Sequence, residues 1–298
     1  MNARSPAASA TQLRGAALVV IGALWWSIGG LLSRSISTDP MTTAFWRALT
    51  AALFIFAWLL VVRRGAIWRD FWAAGWAGLL AAACWATAST AFVIALKFTT
   101  VATIAVIQSL GPFVAALLAY ALMGERLRAR TWVAIAVAIA GIVVMMARAP
   151  QGSDRVGTLI AFGMSAVFAG AVVTMRYHRE IRMTAAACLG AAMAAAATAP
   201  FAEIGATPMA DMPYLVAFGV LQLGTGLVFF TIGAPRVPAA QATLQATAEP
   251  IAAPLWVWIG FREYPGALVL LGGALVLAAL VGHALLDLRE GRRLRAPR

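Results

Sequence analysis

Residues 237–263 read VPAAQATLQATAEPIAAPLWVWIGFRE, and a stretch of the same kind occurs earlier, at residues 99–125, as TTVATIAVIQSLGPFVAALLAYALMGE. Both stretches begin with a short polar turn, continue as a segment of small apolar residues around a proline, and end at a glutamate. Pro112 and Glu125 recur as Pro250 and Glu263, each 138 residues further along the chain. Two copies of an apolar unit with a helix-breaking proline at mid-depth are typical of duplicated membrane proteins of the transporter type.

The composition indicates a membrane protein independently of this repeat. The chain of 298 residues is 62% hydrophobic and 11% charged, with a mean hydropathy of +0.86. A soluble domain carries about 25% charged residues, so this chain has too few to cover a water-facing surface. Its apolar runs reach about 18 residues, the length a helix needs to cross the hydrocarbon core. We predict ten transmembrane helices, at residues 15–32, 41–62, 71–96, 99–123, 131–147, 156–174, 184–201, 214–234, 237–261 and 265–286.

The polar tract RAPQGSDR at residues 148–155 separates five predicted helices from five. Five crossings reverse the chain, so the second half enters the membrane from the opposite face. We therefore predict an all-α integral membrane fold, built as two inverted five-helix repeats around a central cavity. The predicted parts are a cytoplasmic N-terminal tail at 1–14, the first repeat at 15–147, an inter-repeat loop at 148–155, the second repeat at 156–286 and a basic cytoplasmic tail at 287–298.

The net charge of +12 and the pI of 11.4 are typical of nucleic-acid-binding proteins, but the positions of the charges argue against nucleic acid as a partner. When the N-terminus is placed inside, most of the Lys and Arg residues fall in loops on one side of the membrane. This bias is the positive-inside signature, which assigns the basic side to the cytoplasm. We predict a multi-pass protein of a bacterial-type inner membrane, with both termini cytoplasmic and lipid as its surroundings.

The ten predicted spans, the two halves and the paired signatures Pro112…Gly124-Glu125 and Pro250…Glu263 resemble the EamA-type branch of the drug/metabolite transporter superfamily. The resemblance implies a secondary transporter, often an exporter of amino acids or other metabolites, whose central cavity opens alternately to each side. Within that branch the chain resembles the aromatic amino acid exporters. The second repeat departs from the pattern, because Arg262 stands where the first repeat has Gly124, and Glu249 where it has Gly111.

The two repeated prolines are candidate hinges. A proline within a helix lacks an N–H and frees the carbonyl four residues before it, so Pro112 would free the carbonyl of Gln108. In hydrocarbon such a break is tolerated where it is buried or lines a wet cavity. Pro112 and Pro250 are therefore either hinges at the cavity wall or simple packing kinks.

Polar side chains near mid-depth are the candidate substrate-binding or cavity-lining residues. These are Gln108, Ser109, Gln222, Gln245 and Glu249. The alternative is that they form hydrogen bonds between helices, each worth about 0.6 kcal/mol. Glu249 differs, because an ionisable side chain in the membrane marks a functional site by default. It could bind a substrate ammonium or carry a proton.

Cations and aromatic residues complete the set. Arg47 and Lys97 could each bind a substrate carboxylate, Arg with bidentate geometry, or could instead snorkel to the interface. Trp25, Trp26 and Trp85 lie near the centres of predicted spans, where an interfacial belt does not explain them. They either stack on an aromatic substrate or pack between helices.

The proposed substrate is an aromatic or other neutral amino acid, with nucleosides or cationic drugs as the alternative and a channel as a distant one. An enzyme is not expected, because the chain has two His and no H-E-x-x-H motif. No cofactor, metal or disulfide is expected; Cys84 and Cys188 fall within predicted spans. The sequence leaves the oligomeric state, the coupling ion and the direction of transport open.

Overall fold

The computed structural model describes residues 6–123, 127, 129–146, 153–178, 183–233, 236–237 and 248–293. These residues form α-helices, short 3-10 turns and one π-helix, and they contain no β-strand. The α-helices are α1 Pro6–Ser27, α2 Gly29–Arg34, α3 Pro40–Arg63, α4 Ile67–Phe98, α5 Val101–Gln108, α6 Gly111–Met123, α7 Ala129–Met146, α8 Ser153–Tyr177, α9 Met183–Thr198, α10 Met212–Ala217, α11 Gly226–Gly233, α12 Ala248–Phe261 and α13 Ala267–Arg293. The π-helix, Phe218–Thr225, joins α10 to α11.

Six stretches of the described chain are long and apolar enough to cross a membrane. They are Gln12–Arg34, Pro40–Phe98, Val101–Leu118, Met183–Phe201, Met212–Gly233 and Ala267–Leu286. Pro40–Phe98 contains two of the predicted spans, α3 and α4, and two shorter apolar helices lie at Ala129–Met145 and Arg155–Ala171. The expected all-α membrane architecture is therefore confirmed.

Within the described residues, four of the spans are interrupted or kinked. The third is kinked at Gly75 of α4, whose backbone is not helical (φ 52°, ψ −158°). The first breaks at Ile28, between α1 and α2, and the eighth contains the π-helix. The fourth is divided at Ser109 and Leu110, where α5 ends and α6 begins. Pro112 is the second residue of α6 and not the interior of a continuous helix, and the first turn of a helix tolerates its missing N–H.

Helix packing follows the inverted repeat. The third span packs on the sixth (α4 on α8), and the equivalent first and eighth spans pack together (α1 on α11). The second span packs on the seventh (α3 on α9), and the fifth on the tenth (α7 on α13). The fourth and ninth spans run antiparallel, because Val101 lies beside Glu263 while Gln108, seven residues on, lies beside Glu249. Antiparallel packing of equivalent spans is the expected result of an inverted repeat.

Small residues bring the repeats close together, as is common between membrane helices. The α3–α9 contact is built largely from alanines, among them Ala51 of α3 and Ala191 of α9. At the crossing of α7 and α13, a Cβ atom at Gly272 would lie 2.3 Å from the carbonyl oxygen of Gly141. Any side chain at that point would force the two helices apart.

Helix ends differ from the predicted segments where charged residues continue a helix into water. The helix α13 extends to Arg293, into the predicted tail at 287–298, and α8 begins at Ser153, in the predicted loop at 148–155. The predicted limits of the tails, repeats and loop stay predictions, and Glu125 lies outside the described residues.

Candidate functional site

A small cavity lies between the two repeats, where four spans meet. Its volume is about 20 Å³, enough for one or two water molecules but not for a metabolite. It is lined by Trp26, Gly30, Phe92, Val101, Ile104, Ala105, Gln108, Glu249, Pro250 and Ala253. The interruption between α1 and α2 supplies Trp26 and Gly30, so the broken first span forms part of the wall.

The polar end of the cavity is a pair of side chains, one from each repeat. The amide nitrogen Nε2 of Gln108, the last residue of α5, donates to Oε1 of Glu249 at 3.0 Å. Glu249 stands in the first described turn of α12. The structure thus brings together two of the residues selected from the sequence, and places Pro250 beside them.

Behind one wall of the cavity lies a buried cation. The side chain of Arg47 is 4% exposed, and its guanidinium is held between two phenyl rings. The carbon Cζ lies 5.3 Å from the ring centre of Phe92 and 4.7 Å from that of Phe218. Phe92 also lines the cavity, so a single aromatic ring separates the guanidinium from the cavity.

Neutral oxygens take up the guanidinium's hydrogen bonds. Nη1 donates to Ser89 Oγ at 2.6 Å and to the Ser89 carbonyl at 3.4 Å. Nε and Nη2 both donate to Oε1 of Gln222, at 3.2 and 3.0 Å. Arg47 and Glu249 do not form an ion pair, since the ion pairs in the described part of the chain join other residues.

Gln222 reaches Arg47 from the π-helix, a structure frequent at functional sites. The π-helix packs closely on α3, because a Cβ atom at Gly219 would lie 1.8 Å from Thr50 Oγ1. The other end of the Gln222 amide, Nε2, donates to the carbonyl of Trp26 at 3.1 Å. The sequence analysis does not predict a π-helix, although glycines at 219, 224 and 226 are a signal of close helix approach.

One end of the bundle is closed by a second cluster that joins the repeats. Arg34, at the end of α2, donates from Nε and Nη2 to the two carboxylate oxygens of Glu263, at 2.8 and 3.2 Å. Its guanidinium also donates to the carbonyls of Leu96 and Thr99. The backbone N–H of Val101 contacts the same carboxylate at 3.4 Å. These contacts tie together the ends of the first, third, fourth and ninth spans.

The loop between α2 and α3 is fixed at this end as well. Oδ2 of Asp211 accepts hydrogen bonds from the backbone N–H and the hydroxyl of both Ser37 and Thr38. These donors, the Thr38 hydroxyl foremost, hold the pKa of the Asp211 carboxyl below its usual value. Lys97 donates from Nζ to the carbonyls of Ile36 and Thr38, so it holds this loop and lies away from the cavity.

Other residues selected from the sequence also lie away from the cavity. Trp85 is buried against the ring of Phe168, and the Ser109 hydroxyl donates to the Ala105 carbonyl of its own helix. Trp25 is half-buried, and Pro112 is exposed on the surface of the bundle. Neither is among the lining residues. Gln245 lies outside the described residues, and the roles assigned to all these side chains stay predictions.

Sequence reasoning missed Phe92, Ser89 and Phe218 at the buried cation, and Arg34 at the closed end. The aromatic pair gives no signal in an apolar span, and the partner of Arg34 is 229 residues away. The side chains that the structure describes include no cluster of three His, Cys, Asp or Glu that could hold a metal ion.

Comparison with known proteins agrees with this architecture. The model of the EamA-like transporter family matches residues 13–147 and 155–284, that is, both repeats. A crystal structure of another protein superposes with a TM-score of 0.65 at 21% sequence identity, covering 97% of this chain and 99% of the other. At that identity the likeness establishes the fold alone. No curated protein matches the chain.

Proposed function

The chain belongs to the EamA-like transporter family, and on that premise we propose that it is a secondary transporter, not an enzyme. It exports small hydrophobic metabolites by alternating access, and aromatic or other neutral amino acids are its preferred substrates. One observation carries the proposal: an acid and aromatic rings line one cavity between the repeats, and a buried cation lies against one of those rings, Phe92.

In the proposed binding mode each charge of a zwitterion meets its opposite. The substrate ammonium replaces the Gln108 amide on the carboxylate of Glu249, and the substrate carboxylate binds the guanidinium of Arg47. The substrate ring lies against Trp26 and Phe92, whose faces favour another ring by about 0.5–1.5 kcal/mol beyond the burial of surface. This modest preference predicts a polyspecific transporter.

The structure corresponds to a closed state in the proposed cycle. The cavity of about 20 Å³ must expand before a substrate enters, which requires α5 and α12 to separate. The cluster of Arg34 and Glu263 closes one end, so the substrate enters from the other end and leaves when this cluster opens. Alternate opening about a site at the repeat interface is the mechanism that inverted repeats support.

We place the protein in a bacterial-type inner membrane with both termini in the cytoplasm, because the basic loops then fall inside. The end closed by Arg34 and Glu263 then faces outwards, and the end that includes Arg63 and Arg64 faces the cytoplasm. This orientation supports export, since the substrate would enter from the cytoplasmic side.

The second candidate substrate class is cationic drugs or nucleosides. The observation that favours it is the position of Phe92, which stands between the cavity and Arg47. A cation would reach Glu249 without displacing that ring. Carboxylate recognition by Arg47 therefore separates the two candidates.

Transport assays in proteoliposomes test the proposal. Labelled L-phenylalanine is loaded into the proteoliposomes and its flux is measured. The competitors compared for inhibition of this flux are L-tryptophan, L-glutamate, L-lysine and phenethylamine. Arg47→Met should weaken the binding of L-phenylalanine about tenfold or more, the usual effect of losing a hydrogen-bonded charge. It should leave the binding of phenethylamine unchanged. Glu249→Gln should weaken the binding of both ligands, because both carry an ammonium group.

Exposed residues of the same types supply matched controls. Arg69→Met and Glu203→Gln change the same charges at exposed positions and should leave competition unchanged. Flux of phenylalanine that tryptophan inhibits and glutamate does not supports the substrate assignment. If no neutral amino acid is transported at any pH while phenethylamine is, the second candidate replaces the first.

A further inference from the structure

The edge of Arg47 that carries Nε and Nη2 is occupied by a single neutral oxygen. Both nitrogens donate to Oε1 of Gln222, at 3.2 and 3.0 Å. This edge is one on which a guanidinium binds a carboxylate with two parallel hydrogen bonds. The Gln222 amide thus stands on Arg47 where a carboxylate would bind.

The remaining nitrogen of the guanidinium has a separate support. Nη1 is held by the hydroxyl and the carbonyl of Ser89 on α4. Because Ser89 does not share the Nε edge, the orientation of Arg47 does not depend on Gln222 alone. An exchange of partner at that edge would leave the guanidinium in place.

The other end of the Gln222 amide contacts the wall of the cavity. Nε2 donates to the carbonyl of Trp26, and a Cβ atom at Gly29 would lie 3.0 Å from that nitrogen. Trp26 and Gly30, on either side of this contact, both line the cavity. Gln222 therefore connects the buried cation to the interrupted first span, which must move if the cavity expands.

We propose that Gln222 is a place-holder for the substrate carboxylate: it occupies Arg47 in the closed state and is displaced when a carboxylate substrate binds. This inference rests on the proposed function, in which Arg47 binds that carboxylate. A carboxylate offers the guanidinium two acceptor oxygens in parallel and a full negative charge, whereas the Gln222 amide offers one neutral oxygen to both nitrogens, so a carboxylate competes successfully with the amide. Gln222 is a positioning residue, because it acts through Arg47. It also sets specificity, because only a ligand with an anionic group gains from displacing it.

If Gln222 is such a place-holder, two near-isosteric substitutions should change the affinity for L-phenylalanine relative to phenethylamine in opposite directions. Gln222→Glu puts a permanent carboxylate on Arg47, so it should reduce the affinity for L-phenylalanine relative to phenethylamine by about tenfold. Gln222→Met removes the competing oxygen, so it should raise the ratio of the affinity for L-phenylalanine to the affinity for phenethylamine. The ratio is measured on one protein sample by competition against a labelled substrate, so a loss of folded protein affects both ligands equally.

The outcomes separate this inference from the proposed function. Opposite changes in the ratio for the two variants support the place-holder. A ratio that is unchanged, or that moves the same way in both, overturns it and leaves Gln222 as a helix-packing residue. If Gln222→Glu does not fold, the Gln222→Met ratio alone decides. Arg47→Met is the separate test: if it leaves the ratio unchanged, carboxylate binding at Arg47 is wrong, whatever the Gln222 variants do.

Discussion

Breaking the ion pair between Arg34 and Glu263 should loosen the closed end of the bundle. Both side chains are about a quarter exposed, 26% and 24%, and the pair is bidentate and joined to backbone carbonyls. An exposed pair contributes roughly 0.2–1 kcal/mol, and one with this geometry and burial about 1–2 kcal/mol. Glu263→Gln keeps the shape and one hydrogen-bonding oxygen but removes the charge. We expect it to increase the open fraction at this end about 5–30-fold.

The open fraction can be measured by labelling a cysteine in the cavity wall. Ala253 lines the cavity and is 8% exposed, so Ala253→Cys is protected while the end stays closed. Cys84 and Cys188 are first replaced by serine. While the open state is a minor one, the labelling rate with a membrane-impermeant thiol reagent is proportional to its population. The rate in Glu263→Gln should therefore rise by the same factor.

The second described ion pair supplies the control. Arg63 and Asp70 lie seven residues apart within the first repeat, with Nε 2.6 Å from Oδ2, so this pair does not join the repeats. Asp70→Asn should leave the labelling of Ala253→Cys unchanged. An unchanged rate in Glu263→Gln, or an equal rise in Asp70→Asn, would refute the reasoning.

Two further predictions concern the same end and the topology. Because the pKa of the Asp211 carboxyl is lowered in the folded state, its contribution to stability is present above the unfolded-state pKa and is lost as pH falls through the folded-state value. Asp211→Asn should thus lower the thermal unfolding temperature in detergent at pH 7, and the difference from wild type should shrink in strong acid; a difference independent of pH would count against it. Cysteines introduced by Ser153→Cys and Arg179→Cys should be labelled from opposite sides of the membrane, the first from outside and the second from the cytoplasm, and labelling of both from one side would reject the inverted repeat.

The sequence was sufficient to predict the fold because a membrane makes two of its signals strong. Apolar length identifies spans, since no water is present to satisfy an open backbone, and the repeat of Pro112 and Pro250 divides the spans into halves. Glu249 could be selected for the same reason, because a carboxyl is rare and unfavourable in hydrocarbon. Its partner Gln108 could be selected because it is a polar residue near the predicted mid-depth of its own span. These inferences need only the position of a residue along its own span.

The features that could not be predicted depend on contacts between distant segments. The break of the fourth span lies at Ser109 and Leu110, before the proline, and the π-helix depends on the packing of Gly219 against Thr50. Hydropathy averages over a helix and does not detect one extra residue in a turn. The partners of Arg47 come from α4 and the π-helix, so their assignment needed the assembled bundle.

The inverted repeat also explains why the proposed site can orient a zwitterion. A symmetric duplication would supply each charged group twice, related by the pseudo-two-fold axis, and a substrate could bind in two opposite directions. This chain has lost that symmetry at both charged positions. Gly111 stands 138 residues before Glu249, and α9, the counterpart of α3 in the second repeat, contains no Arg or Lys. The first repeat therefore supplies only the cation and the second only the acid. In one orientation of the bound zwitterion, each of its charges lies beside the opposite charge of the protein. In the reversed orientation like charges lie together, which is unfavourable in a low-dielectric cavity.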